Sequence, residues 1–513
     1  MPTAEAMLQS DFATMPDLIR AHAAERPDKT AIVSPGRVID FRTLDARMDR
    51  VAAALQRDSV PRKSAVAILA APSIDYAVVF LGAVRAGCAA TPIAPSATPE
   101  QIAAMVADSG SPLLFVDAAN AAAIAGAGIT AEQIRLDNSD GGRALSDWLA
   151  PEGAAPSPVT IAPQDPFNII YSSGTTGTPK GIVQPHAMRW AHIARNAAAG
   201  FGNAVTMIAT PLYSNTTLVS FLPTLAWGGT VVLMPKFDAH QYLELAEQHR
   251  ATHTMLVPVQ YARIMALPDF DRFDLTSFRL KTSTSAPFAP ALKADIVARW
   301  PGLLVEYYGM TEGGGTCILN CTANPTKLHT VGQPVEGHDI RLIDDDGNEV
   351  PQGQTGEVVG RSPAMMSGYH GRKDATDAAT WRDAHGNLFI RHGDIGRFDE
   401  DGFLQLMDRK KDMIISGGFN IYPSDLEAVL REHEGVIDCS VIGVPSERWG
   451  ETPVGFYVGN GDADPDAILD WFNGKVGKTQ RLAALEPIDE LPRSAIGKVL
   501  KRELRDRWLE KHA

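Results

Sequence analysis

The chain has 513 residues, more than one hydrophobic core normally holds, so two or more domains are expected. Hydrophobic residues make up 45%, with 44 Gly and 35 Pro, an ordinary globular composition with many turns. A net charge of −14, from 61 acids against 47 Lys plus Arg, argues against a general nucleic-acid binder and leaves at most a local basic patch.

Met1 to Phe12 carries Glu5 and Asp11 and no apolar targeting core. Leu18, Ile19, Ala23 and Ala24 mark a first helix, and Leu44, Met48, Val51 and Leu55 a second. Between them, Thr30–Val33 and Val38–Phe41 read as a hairpin around Pro35-Gly36. Val66–Leu69, the helix Ser73–Ala86, Ala89–Ile93, a helix from Pro99 to Ser109 and Leu113–Val116 then alternate as in an α/β layer. This most apolar region is interrupted by Asp75, Arg85, Pro72 and Pro92, so no membrane span is expected. The stretch 118–160 is chemically quiet, with one short helix near Leu145–Leu149.

Pro166 to Ile170 reads as a strand, and the loop after it holds the densest chemistry in the chain. Tyr171-Ser-Ser-Gly-Thr-Thr-Gly-Thr-Pro-Lys-Gly181 packs five Ser/Thr hydroxyls, three glycines and Lys180 into one run. Glycines let successive N–H groups converge on an anion, and hydroxyls and a lysine add donors and charge. The string suits nucleotide phosphates but is not a Walker loop, because Pro179 precedes Lys180 and no Ser or Thr comes after it. A second run of strand–helix units extends from a helix at Ala187–Ala199 to the strand Leu303–Tyr307. From about 331 to 408 the strands are short and spaced by Gly, Asp and Pro, a β-rich section. After the charged run Asp408–Asp412 comes a compact terminal segment with helices near Tyr422–Leu430, Asp464–Asn473 and Lys498–Leu509. The fold class expected is therefore α/β and multi-domain. It has a large N-terminal domain (1–408) of two packed sheet layers plus the β-rich part, and a small α+β C-terminal domain (412–513).

Three further stretches carry chemistry. Tyr307-Tyr308-Gly309-Met310-Thr311-Glu312 comes at the end of a strand, where ligands of open α/β sheets collect. Thr311 can donate to a phosphate and Glu312 can ligate Mg²⁺, although Glu312 alone reads first as a solvated loop acid. Asp394, in the Gly-flanked run His392-Gly-Asp-Ile-Gly396, reads as a turn carboxylate able to accept ribose hydroxyls. Lys498 comes directly after Gly497; it reads first as a surface lysine, or as one that swings in to neutralise developing charge. His186 and His392 are most simply structural. Cys88, Cys317, Cys321 and Cys439 form no disulfide framework or metal spacing, and packed thiols in a reducing, cytoplasmic setting are expected.

These four stretches, YSSGTTGTPKG, YYGMTEGG, GDIGRFDEDG with DRKKDMIISGGFNIYP, and PRSAIGKV, resemble in order and spacing the core motifs of adenylate-forming enzymes. The resemblance covers essentially the whole chain and is to acyl-CoA synthetases in particular. It implies ATP, Mg²⁺ and CoA as reactants and cofactors, an acyl-adenylate intermediate, and a C-terminal domain that turns between the two half-reactions. It implies that Ser172, Thr175, Thr176 and Lys180 hold the β- and γ-phosphates, Thr311 the α-phosphate and Glu312 the magnesium. Asp394 and Arg409 correspond to ribose contacts, and Ser285, Ala286, Pro287 and Tyr308 to the adenine site, Ser285 standing where the family usually has Gly. Lys498 corresponds to the adenylation lysine and Lys411 to the hinge (409–411). Gly417, Gly418 and Phe419 correspond to the pantetheine loop, and Trp449 to a stack on the CoA adenine.

The acyl pocket is expected near Tyr213, Ser214, Asn215, Tyr261, Gly309 and Gly314. Ser214 stands where many members have His, which removes a bulky gate, and no pocket arginine stands out for a second carboxylate. An aromatic or medium-to-long aliphatic monocarboxylate is the expected small-molecule partner, with no nucleic acid and a possible homodimer. Loading of a carrier protein instead of CoA is the alternative, although no carrier domain comes after the C-terminal helix. Luciferase-like oxidation has no feature asking for it, and a non-catalytic nucleotide binder has no use for Lys498.

Overall fold

The structure, a computed structural model, describes residues 2–172, 180–194, 199–416, 419–446, 448–461, 464–494 and 497–512. The chain forms two compact units. One comprises Met1–Leu328, Pro334–Asp339 and Gly360–Ile390, and the other His329–Gln333, Ile340–Val359 and Arg391–Ala513.

In the first unit the strands Val205–Ile208, Thr230–Leu233, His253–Leu256, Leu280–Ser283 and Leu303–Tyr308 lie side by side in parallel. Thr30–Ser34 joins Thr230–Leu233 in parallel, and Cys317–Asn320 closes antiparallel on Leu303–Tyr308. A second sheet contains Ala65–Leu69, Ala89–Pro92, Leu113–Val116 and Glu132–Arg135 in parallel and the hairpin Pro166–Ser172/Lys180–Pro185, with Arg143–Ala144 and Gly368–Tyr369 as its edge strands. One apolar core runs from Val66, Ile68 and Phe115 of this sheet to Ile208, Val231 and Leu233 of the other. Helices Met15–Glu25, Phe41–Arg57, Ile74–Arg85 and Asn215–Ala226 supply much of the filling between. The two packed layers expected from the strand–helix alternation are thus present.

Local signals explain most boundaries. Phe41, expected at the end of a strand, opens a helix because Asp40 caps it, accepting from Thr43 N–H at 2.7 Å. Ser73 and Thr98 cap their helices in the same way. The stretch 118–160 holds more order than its composition suggests, with a helix at Ala118–Ala123 and the strands Glu132–Arg135 and Arg143–Ala144.

In the second unit Leu388–Phe398 and Leu404–Arg409 pair antiparallel. Val436–Ser446 and Gly450–Gly459 form a long hairpin flanked by Ile414–Ser416 and Leu485–Pro487. Side chains alternate across this hairpin. Cys439, Val441 and Tyr457 pack on Leu426, Leu430, Ile468 and Phe472 on one face, and Ile442, Val444 and Phe456 on Leu504 and Trp508 on the other.

Candidate active site

The parallel strands of the first unit all end on one edge, so the segments at their C-terminal ends share that edge. These are 209–216, 257–261, 284–287 and 309–315, after the strands ending at Ile208, Leu256, Ser283 and Tyr308. The hairpin Pro166–Ser172/Lys180–Pro185 reaches this edge, where Gln184 bonds the Thr311 carbonyl. Its register sets Ser172 opposite Lys180 and Tyr171 opposite Gly181. Thr175 and Thr176 lie outside the described residues, as does the side chain of Ser172.

Glu312 is buried, and its Oε1 accepts from the Tyr369 hydroxyl at 2.9 Å. The Lys180 ammonium lies 5.3 Å from the centre of the same Tyr369 ring. Burial, reinforced by the Glu312 carboxylate, pushes the Tyr369 hydroxyl well above its ordinary range, so it remains a donor. Tyr369 thus joins two motif residues, and nothing in the local pattern Ser367-Gly-Tyr-His370 announces it. The backbone of Glu312 is held by Met366 N–H at 2.8 Å. Gly313, at φ +81, sits so close that a Cβ there would meet the Ala364 carbonyl oxygen at 1.9 Å, so only glycine fits. Among the described residues no group of three or more His, Cys, Asp or Glu gathers as a metal cage. A single buried carboxylate fits Mg²⁺ arriving with a nucleotide, which takes its other ligands from phosphate and water.

Beneath the edge lies a polar network that the motifs did not reveal. Arg189 is only 1% exposed and is surrounded by neutral partners. It donates to Asn168 Oδ1 and Asn215 Oδ1, each at 2.9 Å, and to Gln184 Oε1. Gln184 in turn donates to the Thr311 carbonyl at 2.6 Å. Burial pushes the guanidinium down to about 9. The available signal is the polar Asn168 and Gln184 in otherwise apolar strands, both 0% exposed.

Of the expected adenine segment, Ser285 and Ala286 are half-buried, Pro287 is exposed and Tyr308 is buried. Ser285 adopts φ +82, the left-handed region that favours glycine, and its hydroxyl lies 2.5 Å from that of Thr216. Tyr213 and Asn215 are half-buried, and Ser214 and Gly314 buried, while Gly309 is open. Tyr261 is 0% exposed, stacks on Phe288 and donates to the Thr282 carbonyl at 3.0 Å. It is held as a core residue and offers no surface to a substrate.

The second unit gathers its own cluster. Asp394 lies within a long strand, not in the turn its glycines suggest, because Arg409 pairs opposite it. The Arg409 Nε meets Asp394 Oδ1 at 2.7 Å, and a second guanidinium N–H donates to the His392 carbonyl at 3.1 Å. Lys410 is anchored to Asp345 at 2.7 Å and Glu357 at 3.1 Å. Lys411 comes next in a turn, with burial lowering its proton affinity. Lys498 closes a tight turn in which Ser494 N–H donates to its carbonyl at 2.8 Å. Burial, then repulsion from Arg409 and Lys411, pushes its ammonium down to about 8, with Asp394 and Asp412 opposing. The residue keeps an open surface, which limits that desolvation, so the ammonium stays largely protonated at neutral pH. Trp449 is 40% exposed, with the Arg448 guanidinium 4.7 Å from its ring. Gly417 and Gly418 lie outside the described residues.

Residues 19–370 match the family model for AMP-binding enzymes, and residues 425–498 the model for the AMP-binding enzyme C-terminal domain. The chain is 33% identical over 515 aligned residues to an indoleacetate–CoA ligase of Aromatoleum aromaticum, covering 95% of this chain and 96% of that protein. It is 31% identical to 4-coumarate–CoA ligase 5 of Oryza sativa subsp. japonica, covering 96% and 94% respectively. The ATP-bound crystal structure of MatB from Rhodopseudomonas palustris superposes with a TM-score of 0.85 at 28% identity, covering 98% of this chain and 100% of that one. With both models matched and full-length relatives above 30% identity, the chain belongs to the AMP-binding enzyme family, on its acyl-CoA synthetase branch.

Proposed function

We propose that this ATP-dependent acid–thiol ligase acts on an aromatic or medium-to-long aliphatic monocarboxylic acid, with an aromatic acid the first to test. The indoleacetate and 4-coumarate ligases carry aromatic acids in their names, and the pocket segment has Ser214 where a bulkier gate is common. The acid's carboxylate oxygen bonds to the α-phosphorus of ATP and pyrophosphate leaves. The CoA sulfur then bonds to the acyl carbon and AMP leaves as the thioester forms. Adenylation gives the acyl carbon a good leaving group, which a free carboxylate lacks.

In this reading Ser172, Thr175, Thr176 and Lys180 hold the departing pyrophosphate, and Thr311 the α-phosphate. Glu312 holds Mg²⁺, which would offset phosphate charge. The observation that carries it is the Glu312–Tyr369–Lys180 group at the strand ends, an acid, a donor and a cation in one corner. Ser285, Ala286, Pro287 and Tyr308 take the adenine. Asp394 takes the ribose, with Arg409 orienting its carboxylate. Lys498 supplies charge to the adenylation step, and the segment 409–411 with Lys411 serves as the pivot to the thioester step. Gly417, Gly418 and Trp449 then serve CoA. No helix among the described residues is long and apolar enough to cross a membrane. Four buried free cysteines accord with a cytoplasmic setting.

The test separates the half-reactions. Lys498→Ala should lower acid-dependent pyrophosphate release by about 10²–10³-fold, the usual scale for losing a charge-stabilising group. Thioester formation from supplied acyl-adenylate should persist. Pyrophosphate release at the wild-type rate in this variant would remove the assignment.

A further inference from the structure

The network under the strand ends fixes the direction of one side-chain donor. A guanidinium carries only donors, so every amide it meets must present its oxygen. Arg189 meets the oxygens of Asn168, Gln184 and Asn215. Asn168 is then left to donate to Gln184 Oε1 at 2.9 Å. Gln184, its oxygen occupied twice, donates to the Thr311 carbonyl at 2.6 Å and to Asn215 Oδ1 at 3.3 Å. The chain of bonds ends at Asn215, whose Oδ1 accepts from two directions. Its Nδ2 is turned away from the network, is not sealed from solvent, and donates to no described group.

Asn215 is half-buried and opens the helix Asn215–Ala226, in the segment after the strand ending at Ile208. That places it on the same sheet edge as Thr311, whose carbonyl the network also holds. Arg189 has no described carboxylate in an ion pair with it, and burying an unneutralised guanidinium is costly. Neutral amides share that charge by polarisation. Each bond accepted from Arg189 makes the N–H groups of the accepting amide stronger donors. A purely structural core at this place needs no charge and no aimed donor.

We infer that Asn215 Nδ2, set by Arg189 and Gln184, is a specificity donor for an oxygen on the acid other than those of the carboxylate that is activated. The preferred acid accordingly bears a hydroxyl, phenolate or carbonyl oxygen on its ring or chain. Arg189 and Gln184 are positioning residues. The inference rests on the reading of this chain as an acid-activating ligase.

The experiment uses the full chain and ATP–pyrophosphate exchange with matched acids. Phenylacetate and 3-phenylpropanoate are each compared with their ring-hydroxylated counterparts at the ortho, meta and para positions, and octanoate with 7-oxooctanoate. At least one oxygen-bearing acid should exceed its partner in kcat/KM by about 10–100-fold, the range available to one aimed hydrogen bond. Asn215→Leu and Asn215→Asp both remove the donor. Asp keeps the size and gives Arg189 a counter-ion, so it retains the fold if Leu does not. In either variant that ratio should fall to within about threefold, with the loss concentrated on the oxygen-bearing acid. Wild-type exchange without preference in any pair, or variants in which both members of the preferred pair fall equally, would overturn the inference and leave the ligase reading standing. Exchange with no acid at all would overturn the ligase reading itself.

Discussion

Ser285 shows how a single residue can hold two demands at once. Its φ of +82 lies where an L side chain is strained by about 1–2 kcal/mol. Its hydroxyl bonds that of Thr216, the neighbour of Asn215, and such a bond contributes roughly 1 kcal/mol. Ser285→Ala keeps the strain and loses the bond, so it should destabilise by about 1 kcal/mol. Ser285→Gly loses the same bond but relieves the strain, so it should equal or exceed the Ala variant in stability by about 1 kcal/mol. Urea unfolding of the two variants beside the wild type decides this. An Ala variant more stable than the Gly variant would contradict the backbone argument. The glycine expected of the family at this position and the strain observed are two views of the same backbone, and the hydroxyl is what the serine adds.

At the scale of elements, helix Phe41–Arg57 lies against helix Ile74–Arg85, and their approach is set by Gly82. A Cβ there would meet Val51 Cβ at 2.5 Å and the Met48 carbonyl oxygen at 3.2 Å. Alanine raises helix propensity by about 1 kcal/mol, yet it forces this contact apart, and overpacking costs typically 1–3 kcal/mol. Gly82→Ala should therefore be net destabilising, by up to about 2 kcal/mol, and Val51→Ala in the same chain, which removes the Val51 Cγ1 that the new Cβ would meet at 2.6 Å, should recover part of the loss. Additive losses in the double variant would refute the contact. The apolar period that reveals these two helices is plain in the sequence, as are most strands. The strands within 118–160 are not, because short, half-exposed strands lack an apolar run to mark them. The glycines around Asp394 suggest a turn, while the partner that makes it a strand lies fifteen residues on at Arg409. Tyr369 and Arg189 are illegible for the same reason. Their meaning lies in what they touch across the fold, Glu312 in one case and three amides in the other.

For the molecule as a whole, buried neutral histidines set how it meets acid. His22 is 1% exposed, with Nε2 at 2.8 Å from the Ala226 carbonyl and Nδ1 facing the Arg26 guanidinium at 3.0 Å. A carbonyl only accepts, so Nε2 carries the proton and Nδ1 is the acceptor. A second proton would have to enter against Arg26. Burial, opposed by the Ala226 carbonyl and aided by Arg26, pushes His22 down to about 4. Burial likewise pushes His186 down to about 4, and burial with Arg409 pushes His392 in the second unit down to about 3. In the unfolded chain each imidazole takes a proton near pH 6.5. Between that pH and the folded values the unfolded state binds more protons, so stability falls as pH falls. The loss begins near pH 6.5 and is complete only below pH 4 in the first unit and pH 3 in the second. Each histidine can withdraw up to about 3–5 kcal/mol, a large part of a typical margin of roughly 5–15 kcal/mol. Thermal unfolding should therefore shift steeply downward between pH 6.5 and 4.5, with the chain already unfolded at 25 °C before the lower pKa values are reached. His186→Phe, which cannot take the proton and can keep the edge-on contact with Phe167, should make that profile shallower by about one proton. A midpoint that stays constant from pH 7 to pH 4.5, or a variant whose profile matches the wild type, would show that these histidines titrate in the folded chain much as they do in the unfolded one.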